Sequence, residues 1–471
     1  MKLKELRIAN GLSIKELAAQ VEFEERRIRV LERGLDKPDR AEVSRLTDFF
    51  DLNTREARSL RKISKEISTG PVVIGEGYVT ALDRRGFTVY PPSISDGTAN
   101  KLTVLDLFCG IGGLSYGFEQ TGRFTTVGGL DLLSDRIATF QRNHPQSFGF
   151  SFDITSFSPS DVGKYLERSP DIIVGGAPCQ GFSSIRPFRT LSEDDQRNNL
   201  FKSFAGYVAH FKPEWFVFEN VVGLLTHKNG ESLKVLLQEF SSLGYSVDFR
   251  VMNSAYYGVP QLRERLIVVG NRNRRLFDWP EPTHFVDFKS MAGNVHGKVL
   301  RPRSKEECLP AITVLEALSD LPSLRSGEAS STYRSAPKNA YQVYLREGSH
   351  GLTLHEASVH STKMLEIIEH SGYNIESVRH LVSSGFSSSY SRLEPDRPSV
   401  TLTVNFVCPS SNKCIHPEQQ RALTPREGAR LQGFPDRFDF AGSRTQIVKQ
   451  IGNAVPPILS RVVAEQIFSY Y

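Results

Sequence analysis

Asp106-Leu107-Phe108-Cys109-Gly110-Ile111-Gly112-Gly113 is the stretch on which the fold turns. It closes the short apolar run 102–107, which reads as a buried strand, and opens 114–120, which has helical spacing. Glycines between a strand and a helix let the chain turn tightly and let a ligand approach the backbone. The next apolar run, 125–130, ends at Asp131, and 135–143 is again helical. A carboxylate at the end of that second strand is placed to bind a ribose diol. The loop alone is also compatible with a plain strand–helix turn that holds no ligand. Its spacing is not G-x-G-x-x-G, because Gly110, Gly112 and Gly113 are followed by Leu114 and Ser115. A loop without a phosphate cradle suits an adenosyl cofactor that has no pyrophosphate. It disfavours a nicotinamide-dependent oxidoreductase.

Working outward, further short apolar runs stand at 171–175, 215–219 and 266–270. Strands alternating with helices predict an α/β fold with a doubly wound, mostly parallel sheet. After 270 the alternation stops. Serine-rich pieces at 323–335 and 383–391 and scattered prolines mark 271–420 as an irregular lobe, and helical signals return at 425–433 and 457–468. On the other side, 66–100 carries Gly70, Pro71, Gly75, Gly77, Pro91 and Pro92 and reads as a linker with a small hairpin. Residues 1–65 read as all helix. Ser13 and Glu16 form a capping box, and Leu17, Ala18, Val21, Ile28 and Leu31 supply an apolar face. Two short helices joined by a tight turn inside a small bundle have helix-turn-helix geometry. The chain therefore divides into 1–65, 66–100, 101–270, 271–420 and 421–471.

The 471 residues are 39% hydrophobic and 24% charged, ordinary globular composition that excludes disordered and collagen-like classes. Five cysteines, at 109, 179, 308, 408 and 414, are few and odd in number. They predict a reducing, cytoplasmic compartment and no disulfide framework, and without paired C-x-x-C spacing no metal site is expected. No apolar run is long enough to span a membrane, and Met1-Lys2-Leu3-Lys4-Glu5 opens no secretory signal. Residues 1–65 hold 16 Lys and Arg against 12 Asp and Glu, so most of the net charge of +5 lies there. That bias is compatible with a nucleic-acid partner.

Three blocks carry candidate chemistry. In Gly175-Gly176-Ala177-Pro178-Cys179-Gln180-Gly181, Cys179 lies just past a strand end, where an open sheet places its ligand crevice. Its thiolate could act as a nucleophile; a small buried residue is the alternative. In Phe218-Glu219-Asn220-Val221 a carboxylate ends another strand, near Cys179 if the two strands are neighbours. A helix-capping or solvated Glu is the alternative there. In Gln261-Leu262-Arg263-Glu264-Arg265, alternation puts Gln261, Arg263 and Arg265 on one face. Such arginines anchor a catalytic loop, bind phosphate, or form a solvated pair.

Taken in order, these blocks with 421–435 and Gln450-Ile451-Gly452-Asn453-Ala454-Val455-Pro456-Pro457 resemble the ordered motifs of DNA (cytosine-5)-methyltransferases over about 101–471. The resemblance implies S-adenosylmethionine as cofactor. Phe108, Gly110, Gly112, Asp131, Asp153, Ile154, Pro178, Asn453 and Val455 would form its pocket. Asp131 departs from the family's usual Glu. The resemblance also implies Cys179 as the nucleophile toward C6 of a cytosine flipped out of double-stranded DNA. Glu219 would bond N3, and Arg263 and Arg265 would steady the ring and the loop. Arg186 and Arg189, in the loop after Cys179, are candidates to close over the DNA, and Asn198-Asn199-Leu200-Phe201 matches the motif that follows it. Residues 271–420 hold the place of the target-recognition region, with Arg392, Arg397, Ser399, Thr401 and Thr403 at its edge.

Residues 1–65 resemble the small helix-turn-helix domains of phage-type repressors, with Arg26, Arg27 and Arg29 on the exposed helix. The implied function is site-specific methylation that protects DNA from a partner restriction endonuclease. The N-terminal domain would bind an operator and autoregulate transcription. The rival reading is a DNA-binding regulator whose methyltransferase fold is inactive. Cys179, Glu219, Asn453 and the glycine loop are all present, which favours activity.

Overall fold

The computed structural model describes residues 3–32, 40–51, 81–82, 86–94, 100–177, 200–290 and 297–471. The chain forms two compact units, Met1–Val79 and Thr80–Tyr471. In the first, helices α1 (Leu3–Ala9), α2 (Ile14–Gln20), α3 (Glu25–Glu32) and α4 (Arg40–Phe49) surround Leu3, Leu6, Leu17, Ala18, Val21, Ile28, Leu31 and Leu46. The capping box at α2 is present: Ser13 accepts from the Glu16 N–H, and Glu16 accepts from the Ser13 N–H.

The second unit is built on a nine-stranded sheet. Its strands are β1 (Ala81–Leu82), β2 (Thr88–Tyr90), β3 (Leu102–Leu107), β4 (Phe124–Asp131), β5 (Phe148–Ser151), β6 (Ile172–Gly175), β7 (Trp215–Val221), β8 (Ser246–Asn253) and, after the two-residue β9 (Gln261–Leu262), β10 (Glu264–Asn271). They lie in the order β1-β2-β5-β4-β3-β6-β7-β10-β8. The central five, β5-β4-β3-β6-β7, are parallel, and the outer pairs on both sides run antiparallel. Chain order reverses at β3, so the connections that leave the paired carboxyl ends of β3 and β6 part to opposite faces and open a crevice there.

The runs read as continuous apolar strands are apolar because both faces are covered. Val104, Ile172, Val174 and Val217 pack to one side with Phe118, Leu459 and Val463. Leu105, Leu107, Ile173, Phe216 and Phe218 pack to the other with Phe204, Val208 and Phe240. The first layer pairs α5 (Gly113–Glu119) with α15 (Pro457–Phe468); the second holds α8 (Leu200–Phe211) and α9 (Glu231–Ser242). Helices α6 (Ser134–Asn143) and α7 (Pro159–Gly163) complete the crossovers. The approach of α5 to α15 depends on Gly117: any side chain there would strike the Ser460 hydroxyl and the Pro457 carbonyl.

The small hairpin expected within the linker segment is present, and it joins this sheet. β1 and β2 form a hairpin whose second strand pairs with β5, because Phe87 and Val89 have a core to enter: Phe87 stacks on Phe152 at 4.5 Å between ring centres. The irregular lobe has its own core, and 421–471 helps to form it. Val314, Leu318, Leu345, Leu402 and Phe406 pack with Leu423, Leu431, Phe434, Val448 and Ile451. Its helices are α10 (Val314–Leu318), α11 (Ala340–Arg346), α12 (Thr362–His370), α13 (Pro425–Leu431) and α14 (Arg444–Asn453). At its centre three arginines are fully buried. Arg421 pairs with Glu427 at 2.7 Å, Arg430 bridges Asp320 and Asp436 at 2.5 and 2.6 Å, and Arg426 lies 3.9 Å from Asp436. No helix among the described residues is long and apolar enough to cross a membrane.

Candidate functional site

The glycine loop leaves β3 in a conformation few sequences accept. Phe108 (φ 56°), Gly110 (54°) and Gly112 (83°) are all left-handed. For a bulky residue such as Phe108 this backbone is costly, and it persists only where the surroundings impose it. Here Asp131, at the end of the neighbouring β4, imposes it. One carboxylate oxygen accepts from the Gly110 N–H at 3.0 Å, and the other from the Leu133 N–H at 2.9 Å. The Cys109 N–H donates to the Leu130 carbonyl at 2.8 Å. Asp131 thus ties the loop to β4, while each of its oxygens keeps a lone pair for a further donor. Burial raises its pKa, although these N–H donors oppose the shift.

A Cβ on Gly110 would meet nothing within 4 Å, so the loop presents open space there. At Gly113 a Cβ would run into the Val455 carbonyl, which brings the segment after α14 onto the loop. Asn453 is exposed at the end of α14. Asp153 is exposed and turns back to the Thr155 N–H and hydroxyl, and Ile154 packs against the core beside it. Bare backbone, a carboxylate with spare acceptor capacity and an exposed amide form a donor set that fits an adenosyl group.

The second half of the crevice lies at the ends of β6 and β7, which are hydrogen-bonded neighbours. Glu219 is 9% exposed, and the Arg265 Nε donates to one of its oxygens at 2.7 Å. Its other oxygen lies over Gly176, 2.7 Å from where a Cβ would stand, so a side chain at 176 would displace it. The Asn220 amide donates to the Ala177 carbonyl at 3.2 Å and fastens the exit of β6 to β7. Pro178 and Cys179, with Arg186, Arg189 and Asn198-Asn199, lie outside the described residues.

The two arginines of 261–265 part company. Arg265 meets Glu219. Arg263, more deeply buried, donates instead to the Leu402 and Gly452 carbonyls at 3.1 and 3.2 Å. Gln261 reaches the Leu431 carbonyl and Gln432, and accepts from the Leu402 N–H. Gln261 and Arg263 therefore sew the irregular lobe and α14 to the sheet, and Arg265 alone of the three contacts the carboxylate. Arg392, at the lobe's edge, spends its guanidinium on carbonyls of Ile368, Ser371, His416 and Gln419.

Sequence reasoning missed two buried sets. One is the arginine cluster of the second lobe. The other lies under the glycine loop, where His144, Glu119, Ser115 and Asp106 are linked. A lone His after a helix and a Glu within one gave no sequence signal.

Comparison with known proteins agrees with this geometry. The model of the C-5 cytosine-specific DNA methylase family matches residues 102–469. The chain is 32% identical to the type II methyltransferase M.AgeI of Thalassovita gelatinovora, covering 78% of this chain and 99% of that one. It is 34% identical to the type II methyltransferase M1.HphI of Haemophilus parahaemolyticus, covering 78% and 87%. Among solved structures, a prophage-encoded E. coli protein described as a DNA modification methyltransferase superposes with a TM-score of 0.61 at 25% identity, over 78% of this chain and 99% of that one. With a match that runs from the first strand of the glycine loop to the end of α15, the chain belongs to the C-5 cytosine-specific DNA methylases.

Proposed function

We propose that this DNA (cytosine-5)-methyltransferase acts on a flipped-out cytosine through a covalent adduct on Cys179, as the modification half of a restriction–modification pair. The observation that carries the reading is Glu219, buried at the end of β7 with Arg265 on one oxygen and Gly176 beneath the other, beside the strand that leads into Cys179. S-adenosylmethionine supplies the methyl group as an electrophile on sulfur. Phe108, Gly110, Asp131, Ile154, Asn453 and Val455 would hold it, with Pro178 and Gly112 shaping the wall.

C5 of cytosine is too poor a nucleophile to take that methyl unaided. Attack of the Cys179 thiolate on C6 moves the ring electrons toward C5, which then forms the new C–C bond. A base removes the C5 proton, the C6–S bond breaks, and the thiolate is restored. A free thiol has a pKa of about 8.5, so the reaction needs a site that favours the thiolate. Glu219, when its free oxygen carries a proton, would donate a hydrogen bond to N3 and draw charge into the ring as C6 is attacked. Arg265 would hold the carboxyl in line. The base must leave the helix to reach both groups, which costs a few kcal/mol of unstacking.

The relatives named as type II methyltransferases support the restriction–modification context, with a nuclease as functional partner. The test is bisulfite sequencing of DNA from a host that lacks cytosine methylation, after expression of the protein. A recurrent short protected sequence is expected. No protection from a folded, cofactor-binding protein would favour the regulator reading. Glu219→Gln keeps the shape and one acceptor but loses the carboxyl. It should lower methyl transfer about 10²- to 10⁴-fold while cofactor affinity holds, checked by single-turnover kinetics and calorimetry.

The same proposal extends to 1–65 as an operator-binding helix-turn-helix that autoregulates transcription. Helices α2 and α3, with Glu22 left-handed in the turn between them, support it. One detail of the expected surface changes. Arg27 is half-buried and paired with Glu42 at 2.6 Å, so it is not a free arginine on an exposed helix. Arg26 and Arg29 have side chains outside the described residues. Removal of 1–65 should leave methylation of short duplexes measurable and abolish binding to a promoter fragment in a gel-shift assay. Loss of both activities would make the domain part of the catalytic unit.

A further inference from the structure

Beneath the glycine loop lies a group that catalysis does not use. His144 caps α6 and is 0% exposed. Its Nδ1 is 2.9 Å from a Glu119 oxygen; its Nε2 is 3.4 Å from the Gly112 carbonyl and 3.5 Å from the Ser115 hydroxyl. The ring stacks on Phe140 at 4.4 Å and meets the Tyr116 edge at 5.9 Å. Gly112 rests on this stack: a Cβ there would lie 2.5 Å from His144 Nε2 and 2.8 Å from Phe140. Thus the height of the loop above α6 is set by the imidazole.

The neighbours dictate its protonation. Glu119 and the Gly112 carbonyl are both acceptors. The Ser115 hydroxyl donates to Asp106 at 2.7 Å, so it has no proton to offer His144. A neutral imidazole has one N–H and can satisfy one acceptor; the other then faces a bare ring nitrogen. The imidazolium satisfies both.

We propose that His144 is a positioning residue for the cofactor loop: its imidazolium, braced on Glu119, holds the Gly112 carbonyl, and loss of its proton loosens the loop's grip on S-adenosylmethionine. This rests on Phe108–Gly113 being the cofactor loop.

The charges around the ring agree. Burial pulls the His144 pKa down, but Glu119, Asp106 and the Gly112 carbonyl outweigh it and leave the value raised above the ordinary 6.5. For Asp106, burial pushes the pKa up to about 7, against the bonds from Ser115 and the attraction of His144; Asp131 adds to the rise. For Glu119, burial is overcome by His144 and the Thr126 donors, and the pKa is lowered. Tyr116, the remaining titratable group against the ring, has its pKa raised by burial and stays neutral. For His144 and Asp106 the folded value lies above the unfolded one. The stabilisation tied to each proton is therefore full below the unfolded value and is lost as pH rises through the folded one. For the loop that window opens above pH 6.5 and includes the step near 7.

The experiment is isothermal calorimetry of S-adenosylmethionine binding to the full chain between pH 6 and 9, for the protein itself and for His144→Gln. Gln keeps an amide donor but has no titratable proton. Affinity of the unmodified protein should fall roughly tenfold over this range, and His144→Gln should keep only the smaller step that belongs to Asp106. Parallel pH profiles, or a flat profile for the unmodified protein, would overturn the proposal. If His144→Gln does not fold, Glu119→Gln carries the test, because loss of the bracing charge should move the midpoint below pH 6.5; an unmoved midpoint overturns the proposal equally. Phe108→Ala separates the two levels: unchanged cofactor affinity in that variant would remove the loop from the site, whatever the pH profiles show.

Discussion

Cys179→Ala should abolish methyl transfer, with kcat falling by about four to six orders of magnitude, while S-adenosylmethionine binds as before. The size of the loss follows from the chemistry. Without addition at C6 there is no electron-rich C5, and neither Glu219 nor Arg263 can stand in for the thiolate. Glu219 is an acceptor already engaged by Arg265, and Arg263 is committed to two backbone carbonyls. The retained affinity follows from the fold. The loop from β3, the carboxylate on β4 and the segment after α14 are held by contacts among themselves. Single-turnover assays with a labelled methyl donor, paired with calorimetry, read both halves. Residual turnover within a hundredfold of the unmodified protein would remove Cys179 from the nucleophile's role.

The second large effect is on stability. Arg430 is buried between Asp320 and Asp436, donating to both carboxylates and to the Ala317 carbonyl. Arg430→Met fits the space but leaves two carboxylates unpaired away from water. Breaking a buried ion pair from one side costs about 3–5 kcal/mol. Loss of that order should lower the thermal midpoint of the full chain by several degrees, read by calorimetry. Arg430→Met combined with Asp320→Asn and Asp436→Asn should recover part of it, because the cost lies in the stranded charges more than in the missing cation. If the single variant melts like the unmodified protein, the cluster is not what holds the lobe.

The parts of this fold legible in the sequence are those specified locally. The glycine loop, the carboxylate at the end of β4 and the short apolar strands depend on residues within a few positions of one another, so periodicity and turn chemistry reach them. The alternation of 261–265 found its arginines, but not that one would meet Glu219 and the other the chain 139 and 189 residues away. Arg421, Arg426 and Arg430 illustrate the limit more sharply. An arginine on a helix reads as solvated unless its partner is known, and Asp320 lies 110 residues before Arg430. At 81–90 the small hairpin is legible, but not that it would join the sheet, which depends on Phe150 and Phe152 being there to receive Phe87.

The pairing of α5 with α15 has a consequence for how the molecule comes into being. The Ser460 hydroxyl bonds the Gly113 carbonyl across 347 residues of chain. The first helix of the sheet is thus covered by one made several hundred residues later. Contacts that close so long a loop form late, after the nearer ones have settled. On the ribosome the strands from β3 to β7 emerge with one face of their sheet still bare, and the cofactor loop lacks its lid until Pro457–Phe468 has been synthesised. A polypeptide interrupted before that point would already contain Cys179, Glu219 and Arg265, and its sheet, with one face uncovered, would be a target for chaperones and proteases.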